Sequence, residues 1–339
     1  MTEVCIIGGG NLGHVMGGFI AARPGFRVTM LTRHPEKWSR KLVIEQPDGS
    51  SLVASLAGVT SNVGEAVRTA DVVLLCLPGY AIREALLSIV ECLKHGVAVG
   101  SVVSSTGFFM QAFNVLPHDV ALFGFQRVPF IARTQEYGHR ARLMGYKESL
   151  SVAVEQTVHK EELRQMLEAM TATPTQLLES YYEASLTNSN PLLHPARLYS
   201  LWKEWHEGDV CNSIPLFYEE WDDVASQLYI EMDSELQRIL AVLPVRKGCI
   251  PTVLDYYESI DAASLTRKLR SIEAFKGIKA PMKPAGGGFV PDLQSRYFTE
   301  DFPFGLDIVR RIGSDHGIPT PTIDSISDWG MRITKRIGA

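Results

Sequence analysis

The sequence predicts an α/β N-terminal Rossmann domain, with a doubly wound parallel sheet, followed by an all-helical C-terminal domain. Three observations support this prediction: a length of 339 residues, short apolar strands that alternate with helical patterns in the first half, and helical periodicity in the second half. At roughly 100–200 residues per domain, a chain of this length suits two domains. We place the boundary so that residues 1–179 form the first domain and residues 180–339 form the second.

The first half begins with a buried strand at Val4–Ile7, a helix of small residues at Gly13–Ala22 and a second strand at Phe26–Thr32. Further strands are predicted at 71–77, 97–104, 120–125 and 149–154, with helices at 81–93 and 159–170. Asp48-Gly49 predicts a hairpin turn, because this dipeptide tolerates the positive φ that such turns need. Continuous apolar strands separated by helices predict a parallel sheet that is covered on both faces.

The second half has helical periodicity. Apolar residues recur at helical spacing from Phe217 to Leu243, which predicts one long core helix. The segments 250–260 and 264–275 also have helical patterns. Between them and the chain end lies a loop, residues 281–292, that contains Gly286-Gly287-Gly288. We interpret this loop either as a cover that orders when substrate binds or as a plain linker.

Composition excludes several classes of protein. The net charge is -5 and the basic residues are scattered, so the chain lacks the concentrated basic surface that nucleic acid requires. No run approaches the ~18 apolar residues of a membrane span. The first strand begins at Val4, which leaves no room for a targeting peptide and predicts a cytoplasmic enzyme. None of the five cysteines forms a CxxC pair, so we expect buried reduced thiols and no metal site.

The segment Gly8-Gly9-Gly10-Asn11-Leu12-Gly13 matches the GxGxxG pattern in the required context of a strand before and a helix after. Gly8 permits the tight turn, Gly10 lets backbone N–H groups approach a pyrophosphate, and Gly13 lets the helix pack on the sheet. The helix N-terminus also attracts phosphate through its unpaired N–H groups. The pattern predicts an NAD(P)-dependent oxidoreductase. A glycine-rich turn that binds no nucleotide is the alternative.

The end of the second strand distinguishes NAD from NADP, because an acidic residue there binds the ribose hydroxyls and repels a 2′-phosphate. This sequence has Thr32-Arg33-His34 instead, and a guanidinium can bind the phosphate with paired hydrogen bonds. NADPH is therefore favoured, while NADH remains open if Arg33 is only a solvated charge.

The turns at Leu77-Pro78 and Ser104–Gly107 follow other strands. The predicted cofactor-binding residues are Gly8, Gly10, Asn11, Leu12, Gly13, Thr32, Arg33, Leu77 and Pro78.

Two segments of the second half combine uncommon residues at fixed spacing. One is Asn188-Ser189-Asn190-Pro191-Leu192-Leu193-His194-Pro195, and the other runs from Ser295-Arg296-Tyr297 through Asp301 to Gly305. Judged alone, a histidine before a proline is more often structural, and Arg296 with Asp301 is more often a surface ion pair. Asn188 could bind substrate or cap a helix, and Tyr297 could simply pack.

With these two segments and the glycine turn, the sequence resembles the opine dehydrogenases of the octopine/nopaline dehydrogenase family over essentially its whole length. The resemblance implies a Rossmann domain, a helical domain of the 6-phosphogluconate dehydrogenase type, and an active site between them. It implies NAD(P)H-dependent reductive condensation of an amino acid amine with an α-keto acid. It also implies that His194 is the catalytic histidine, that Asp301 is its partner, and that Arg296 binds the substrate carboxylate. Asn188 and Tyr297 are further candidates for substrate binding.

The nearest alternative is a ketopantoate reductase-like or 2-hydroxyacid-type dehydrogenase, which reduces a keto acid without an amine. Such enzymes generally place a lysine in the helical domain, whereas here the nearest lysine downstream of His194 is Lys203. A non-catalytic protein that senses NAD(P)H is a second alternative, but it would not need His194, Arg296 and Asp301. The expected partners are small-molecule substrates, with no nucleic acid and no membrane, and a homodimer is left open. The sequence does not identify the amino acid, the keto acid or the physiological direction.

Overall fold

The protein is described here by a computed structural model covering residues 1–105 and 107–335. The chain divides into two compact units, Met1–Thr187 and Asn188–Ala339. This boundary lies eight residues beyond the 179/180 division expected from the sequence. The difference arises because residues 180–187 pack on the first unit. The backbone N–H of Tyr181 donates to Oε1 of Glu155 (3.0 Å), and Nε2 of Gln126 donates to Oγ1 of Thr187 (2.8 Å).

The first unit consists of alternating strands and helices. Its strands are β1 (Thr2–Ile7), β2 (Phe26–Leu31), β3 (Lys41–Glu45), β4 (Ser51–Ser55), β5 (Gly58–Thr60), β6 (Val72–Leu75), β7 (Ala98–Ser101), β8 (Ala121–Phe125), β9 (Phe130–Glu136), β10 (Arg140–Tyr146), β11 (Leu150–Glu155) and β12 (Thr175–Leu177). Its helices are α1 (Asn11–Ala21), α2 (Val63–Val67), α3 (Gly79–Ile89), α4 (Phe108–Val115), α5 (Lys160–Thr171) and α6 (Tyr181–Ser185).

The main sheet has eight strands in the order β12-β11-β8-β7-β6-β1-β2-β5. Neighbouring strands are parallel except for β8 and β11, which pair antiparallel. Both faces are buried: Val4 and Ile6 of β1 belong to one apolar core, with α1 and α5, while Cys5 and Ile7 belong to the other. The predicted doubly wound sheet is confirmed, and it is parallel except at this one pair.

A second sheet, in the order β4-β3-β10-β9, covers α1. The predicted hairpin is present, because β3 and β4 pair antiparallel around Gly49, whose φ is +84°. Strands β9 and β10 were not predicted. Apolar residues lie on both faces of these strands, since Phe130 and Leu143 are buried while Ile131 and Met144 are exposed, so the apolar alternation of a strand is weak.

In the described residues the second unit consists of helices, one hairpin and irregular segments between them. Its helices are α7 (Asn190–Trp202), α8 (Asp223–Leu240), α9 (Val253–Tyr256), α10 (Ala262–Ser271), α11 (Arg296–Thr299), α12 (Asp307–Asp315) and α13 (Pro321–Lys335). The hairpin, β13 (Met282–Ala285) and β14 (Gly288–Pro291), occupies the segment expected to be a loop, and Gly286 and Gly287 form its turn with positive φ. Within the described residues no helix is long and apolar enough to cross a membrane.

The long helix predicted from Phe217 begins only at Asp223. Asp222 ends the preceding segment in an extended conformation, and its Oδ1 accepts the backbone N–H of Ala225 (2.7 Å), a standard N-cap. Phe217 and Trp221 are fully buried, but they lie in the irregular segment before the helix. The buried residues of this irregular segment therefore have the same apolar spacing as a helix would have. The predicted helix at 250–260 is similarly reduced to Val253–Tyr256.

The close packing of α1 on the glycine turn gives a stability prediction. A Cβ on Gly13 would lie 1.9 Å from the carbonyl oxygen of Gly8, whereas a Cβ on Gly10 would meet nothing within 4 Å. We expect Gly13→Ala to lower the free energy of unfolding by about 1–3 kcal/mol, because the backbone must move to relieve the overlap. The matched variant Gly10→Ala should leave it within about 0.5 kcal/mol. Denaturant unfolding measures both, and equal losses would contradict the packing described.

Candidate active site

The glycine turn lies at the carboxyl edge of three adjacent strands, β6, β1 and β2. Gly8 follows β1 with a φ of +120°, and a Cβ there would lie 2.6 Å from the carbonyl oxygen of Cys76 and 3.0 Å from the side chain of Leu77. Pro78 then precedes the first residue of α3. The structure therefore brings Gly8, Leu77 and Pro78 together at the sheet edge where α/β proteins bind ligands.

The N-terminus of α1 is suited to an anion. The helix has no side-chain cap and no acidic residue in its first turn, so its first N–H groups are not satisfied within the helix. The space where a Cβ of Gly10 would stand is open. These features fit the pyrophosphate of a dinucleotide. The side chain of Asn11 is already used, because its Oδ1 accepts the backbone N–H of Thr134 of β9 (2.8 Å).

Thr32 and Arg33 follow β2 at the same edge. Thr32 is buried, and Arg33 is exposed, with no ion pair or hydrogen bond in the part of the chain that the structure describes. Leu12 is half-buried and packs on the apolar core of this face. In the turn after β7, Oγ of Ser104 donates to the carbonyl of Phe125 (3.1 Å), and Thr106 lies outside the described residues.

The cysteines are free thiols in the structure. Burial raises the pKa of Cys5 to about 12 and raises the pKa of Cys76 well above its usual range, so both thiols stay protonated and unreactive. Among the described residues, no group of three His, Cys, Asp or Glu side chains is arranged to hold a metal ion.

In the second unit, His194 lies in the second turn of α7, immediately before Pro195. The helix begins at Asn190, whose backbone N–H donates to Oδ1 of Asn188 (3.2 Å), so Asn188 shapes the start of this helix. Ser189 is also held, through side-chain hydrogen bonds to Tyr229 and Tyr257. The first motif is therefore a firmly anchored helix start that presents His194.

Asp301 lies between the short α-helix that begins at Arg296 and a π-helical turn. Residues Phe302–Leu306 form a π-helical turn, in which the N–H of Leu306 donates to the carbonyl of Asp301 (2.7 Å). Proline at 303 has no N–H for the regular α-helical bond, which favours this wider turn. Single π-helical turns often occur at functional sites, because the extra residue redirects a side chain. Here the π-helical turn begins directly after Asp301.

The two motifs pack directly against each other. Nδ1 of His194 lies 2.7 Å from Oδ2 of Asp301, across 107 residues of sequence, and both side chains are largely buried, at 11% and 17% exposed. Gly305 allows this approach, since a Cβ there would lie 2.8 Å from Cγ of Pro191. The carboxylate accepts the Nδ1 hydrogen, so we assign the tautomer in which Nε2 has the free lone pair.

Tyr218 is a residue of this site that the sequence did not predict. Its hydroxyl lies 3.0 Å from Nε2 of His194, and with the assigned tautomer it donates to that nitrogen. Its ring stacks on Phe275, with centroids 4.1 Å apart. Burial is the largest cause that raises the pKa of this phenol far above its usual range, and the nearby Tyr297, Tyr257 and Asp301 raise it further. The phenol therefore stays protonated. The apolar spacing from Phe217 predicted a helix, and that interpretation offered no reason to select Tyr218 as a site residue.

Arg197, one turn after His194, holds the segment that contains Tyr218. Its guanidinium is 2% exposed and donates to the carbonyls of Phe217 (3.0 Å) and Glu220 (2.7 Å) and to Oδ2 of Asp222 (2.5 Å). Asp222 in turn caps α8. One buried arginine therefore fixes the Tyr218 segment to the helix that presents His194.

The remaining predicted site residues surround the His194–Asp301 pair or lie on the same segment. The ring of Tyr297 lies 4.5 Å from that of His194. Arg296 is exposed, and in the described parts of the chain its guanidinium has no hydrogen bond or ion pair. Asp301 pairs with His194, so the interpretation of Arg296 and Asp301 as a surface ion pair is wrong. The guanidinium is available to an anionic ligand.

Comparisons with known proteins show what the chain is similar to. Residues 177–334 match the family model of the α-helical domain of the NAD/NADP octopine/nopaline dehydrogenases, and residues 4–145 match the model of the ketopantoate reductases PanE/ApbA. Octopine dehydrogenase of Mizuhopecten yessoensis is 27% identical over 359 residues, which cover 97% of this chain and 89% of that protein. Over nearly its whole length the chain is similar to opine dehydrogenases, and its second unit matches the helical domain of the octopine/nopaline dehydrogenases.

The fold of the chain agrees with solved structures. A structure of octopine dehydrogenase with NADH and L-arginine has a TM-score of 0.86 at 24% identity, covering 100% of this chain and 90% of that one. Yersinopine dehydrogenase with NADP+ bound has a TM-score of 0.73 at 13% identity, covering 100% and 93%. The chain is an NAD(P)-dependent oxidoreductase that acts on a CH–NH bond.

The Arg197 contacts give a testable prediction. We expect Arg197→Met to lower the free energy of unfolding by about 2–4 kcal/mol, because the carbonyls of Phe217 and Glu220 lose a buried charged donor. Lys268→Met is the matched control, since Lys268 forms only a surface ion pair with Glu258. It should leave stability essentially unchanged. Denaturant unfolding compares the two, and similar stabilities of both variants would contradict a structural role of Arg197.

Proposed function

We propose that this enzyme catalyses the NADPH-dependent reductive condensation of an amino acid with an α-keto acid, to give an opine. The observation that supports this most is the buried His194–Asp301 pair, which leaves one imidazole nitrogen directed at Tyr218 and available for proton transfer. The amine and keto acid first condense to an imine with loss of water. A nicotinamide cofactor held at the Gly8–Gly13 turn would supply the hydride for reduction of the imine carbon.

His194 is proposed as the general base and acid. Attack by the amine on the keto carbon requires loss of an ammonium proton, and Nε2 accepts it, since Nδ1–H is held by Asp301. The protonated imidazole then returns the proton to the hydroxyl group of the carbinolamine, which leaves as water. Asp301 stabilises the imidazolium and fixes the ring orientation. In the free protein the Tyr218 hydroxyl occupies Nε2, so substrate must exchange with it.

Arg296 is proposed to bind a substrate carboxylate. Its exposed guanidinium can make two parallel hydrogen bonds to a carboxylate, which orients as well as binds the substrate. Tyr297, on the same short helix and against His194, and Asn188, at the start of α7, are proposed to contact the rest of the substrate. The partners implied are therefore small molecules that carry a carboxylate.

The cofactor proposal is NADPH, with NADH as the weaker alternative. Thr32-Arg33 follows the second strand, where an acidic residue would reject a 2′-phosphate, and Arg33 has no competing ion pair among the described residues. The relatives differ in this respect, since octopine dehydrogenase was solved with NADH and yersinopine dehydrogenase with NADP+. The local chemistry of Arg33 is thus the basis of the proposal for this chain.

One further candidate reaction is reduction of a keto acid without an amine. The match of residues 4–145 to the ketopantoate reductases favours it. The helical unit does not, because His194 is paired with Asp301 and the nearest downstream lysine, Lys203, lies at the C-terminal end of α7.

NADPH consumption distinguishes these reactions. In a matrix of amino acids and α-keto acids, we expect turnover only in wells that contain both, because hydride is transferred to an imine and not to a ketone. Product mass provides the independent check: it should equal amine plus keto acid, minus water, plus two hydrogens. Equal turnover of a keto acid with and without amine would reject the opine reaction and support the hydroxyacid alternative.

Variants of the pair test the proton-transfer role. We expect His194→Ala to reduce kcat by about 10²–10⁴-fold and Asp301→Asn to reduce it substantially, since general acid–base catalysis supplies a factor of this size. The nucleotide Kd should stay within about threefold in both. His206→Ala is the matched control, because His206 also neighbours an aspartate, Asp209 (3.7 Å), but lies at the surface. Unchanged kcat in His194→Ala would remove His194 from the mechanism.

A further inference from the structure

The turn between β9 and β10, residues 137–139, lies directly against the glycine turn. The hydroxyl of Tyr137 is 2.7 Å from the position that a Cβ of Gly9 would take, and 3.4 Å from Oγ1 of Thr32. Trp38 approaches the same point to 3.1 Å. Gly9 occupies a variable position of the GxGxxG pattern, so glycine there is explained by the approach of these two rings.

His14 fixes this turn to the nucleotide loop. It is fully buried; Nδ1 lies 2.8 Å from the carbonyl of Gly10, and Nε2 accepts the backbone N–H of Gly138 (2.7 Å). Both contacts are satisfied by the neutral tautomer with hydrogen on Nδ1, and burial lowers the pKa of His14, which favours that neutral form. The imidazole also stacks on Trp38, with centroids 4.2 Å apart.

Gly138 fixes the same turn to the segment after β2. Its φ is +77°, and a Cβ would lie 2.1 Å from the carbonyl oxygen of Lys37. Its own carbonyl accepts the N–H of Ser39 (3.0 Å). Tyr137 is therefore held between the glycine turn and the segment that begins with Arg33, although it comes from a different sheet.

We infer that the Tyr137 hydroxyl is a cofactor-binding group that donates a hydrogen bond to the 2′-phosphate of the adenosine ribose, beside Arg33. In Rossmann domains the residue at the end of the second strand contacts the ribose 2′ position, and Tyr137 lies within 3.4 Å of that residue, Thr32. A phosphate accepts hydrogen bonds and donates none, so a phenol O–H is a suitable partner for it. Tyr137 as a whole is 39% exposed. The inference rests on the proposed use of NADPH.

Tyr137→Phe tests this inference, because it keeps the ring and removes only the hydroxyl. Tyr146→Phe is the matched control: Tyr146 lies on the same sheet, and its hydroxyl donates to Gln46 (2.8 Å) away from the glycine turn. Isothermal titration of the full chain gives Kd for NADPH and NADH, and for adenosine 2′,5′-bisphosphate and AMP. Thermal unfolding checks that each variant is folded.

We expect Tyr137→Phe to raise the Kd of NADPH and of adenosine 2′,5′-bisphosphate about ten- to hundredfold, the loss of one hydrogen bond to a charged group. The Kd of NADH and AMP should change less than threefold, and Tyr146→Phe should change none of them. Arg33→Asp should show the same selectivity more strongly. Equal weakening of both nucleotides by Tyr137→Phe, or no weakening, would overturn the inference.

The same titrations separate this inference from the cofactor proposal. If the wild-type chain binds NADH more tightly than NADPH, the proposed preference for NADPH is rejected. In that case the inference about Tyr137 is still supported if the wild type prefers adenosine 2′,5′-bisphosphate to AMP and Tyr137→Phe loses that preference. It is overturned if the preference persists in Tyr137→Phe.

Discussion

The hydrogen bond between Nδ1 of His194 and Oδ2 of Asp301 is the interaction on which the proposed proton transfer depends. It determines which imidazole nitrogen has the hydrogen and therefore which one can exchange a proton with a ligand. It also joins a helix start to a π-helical turn that are 107 residues apart. Tyr218 and Arg197 then complete the surroundings of the pair, the first at Nε2 and the second by holding the chain that contains Tyr218.

Both units use close backbone approach to place their functional groups. Gly13 against Gly8, Gly138 against Lys37, and Gly305 against Pro191 are contacts where a Cβ would lie 1.9, 2.1 and 2.8 Å from its neighbour. Any side chain at these positions would separate the segments that make the site. Glycine is therefore required here for space, and at Gly8 and Gly138 also for positive φ.

The four-stranded sheet changes the surroundings of the glycine turn. In a bare Rossmann unit the loop after the first strand is bordered only by its own sheet edge and helix. Here β9 and β10 bring Thr134, Tyr137 and Gly138 against Asn11, Gly9 and His14, respectively. The additional hydrogen bonds hold the loop in one conformation, which lowers the ordering cost of binding a ligand there.

The sequence by itself determined the Rossmann sheet, the glycine turn and the two motifs of the helical unit, because each is encoded locally by apolar runs or by spaced Gly, Pro and His residues. It determined neither the start of α8 nor strands β9 and β10, since buried irregular chain before α8 and apolar residues on both faces of β9 and β10 give misleading periodicity. Only the tertiary structure decided the partners. Tyr218 at Nε2 of His194, Arg197 behind it and Tyr137 over Gly9 are contacts between distant segments, and no local pattern encodes which side chain fills the space beside another.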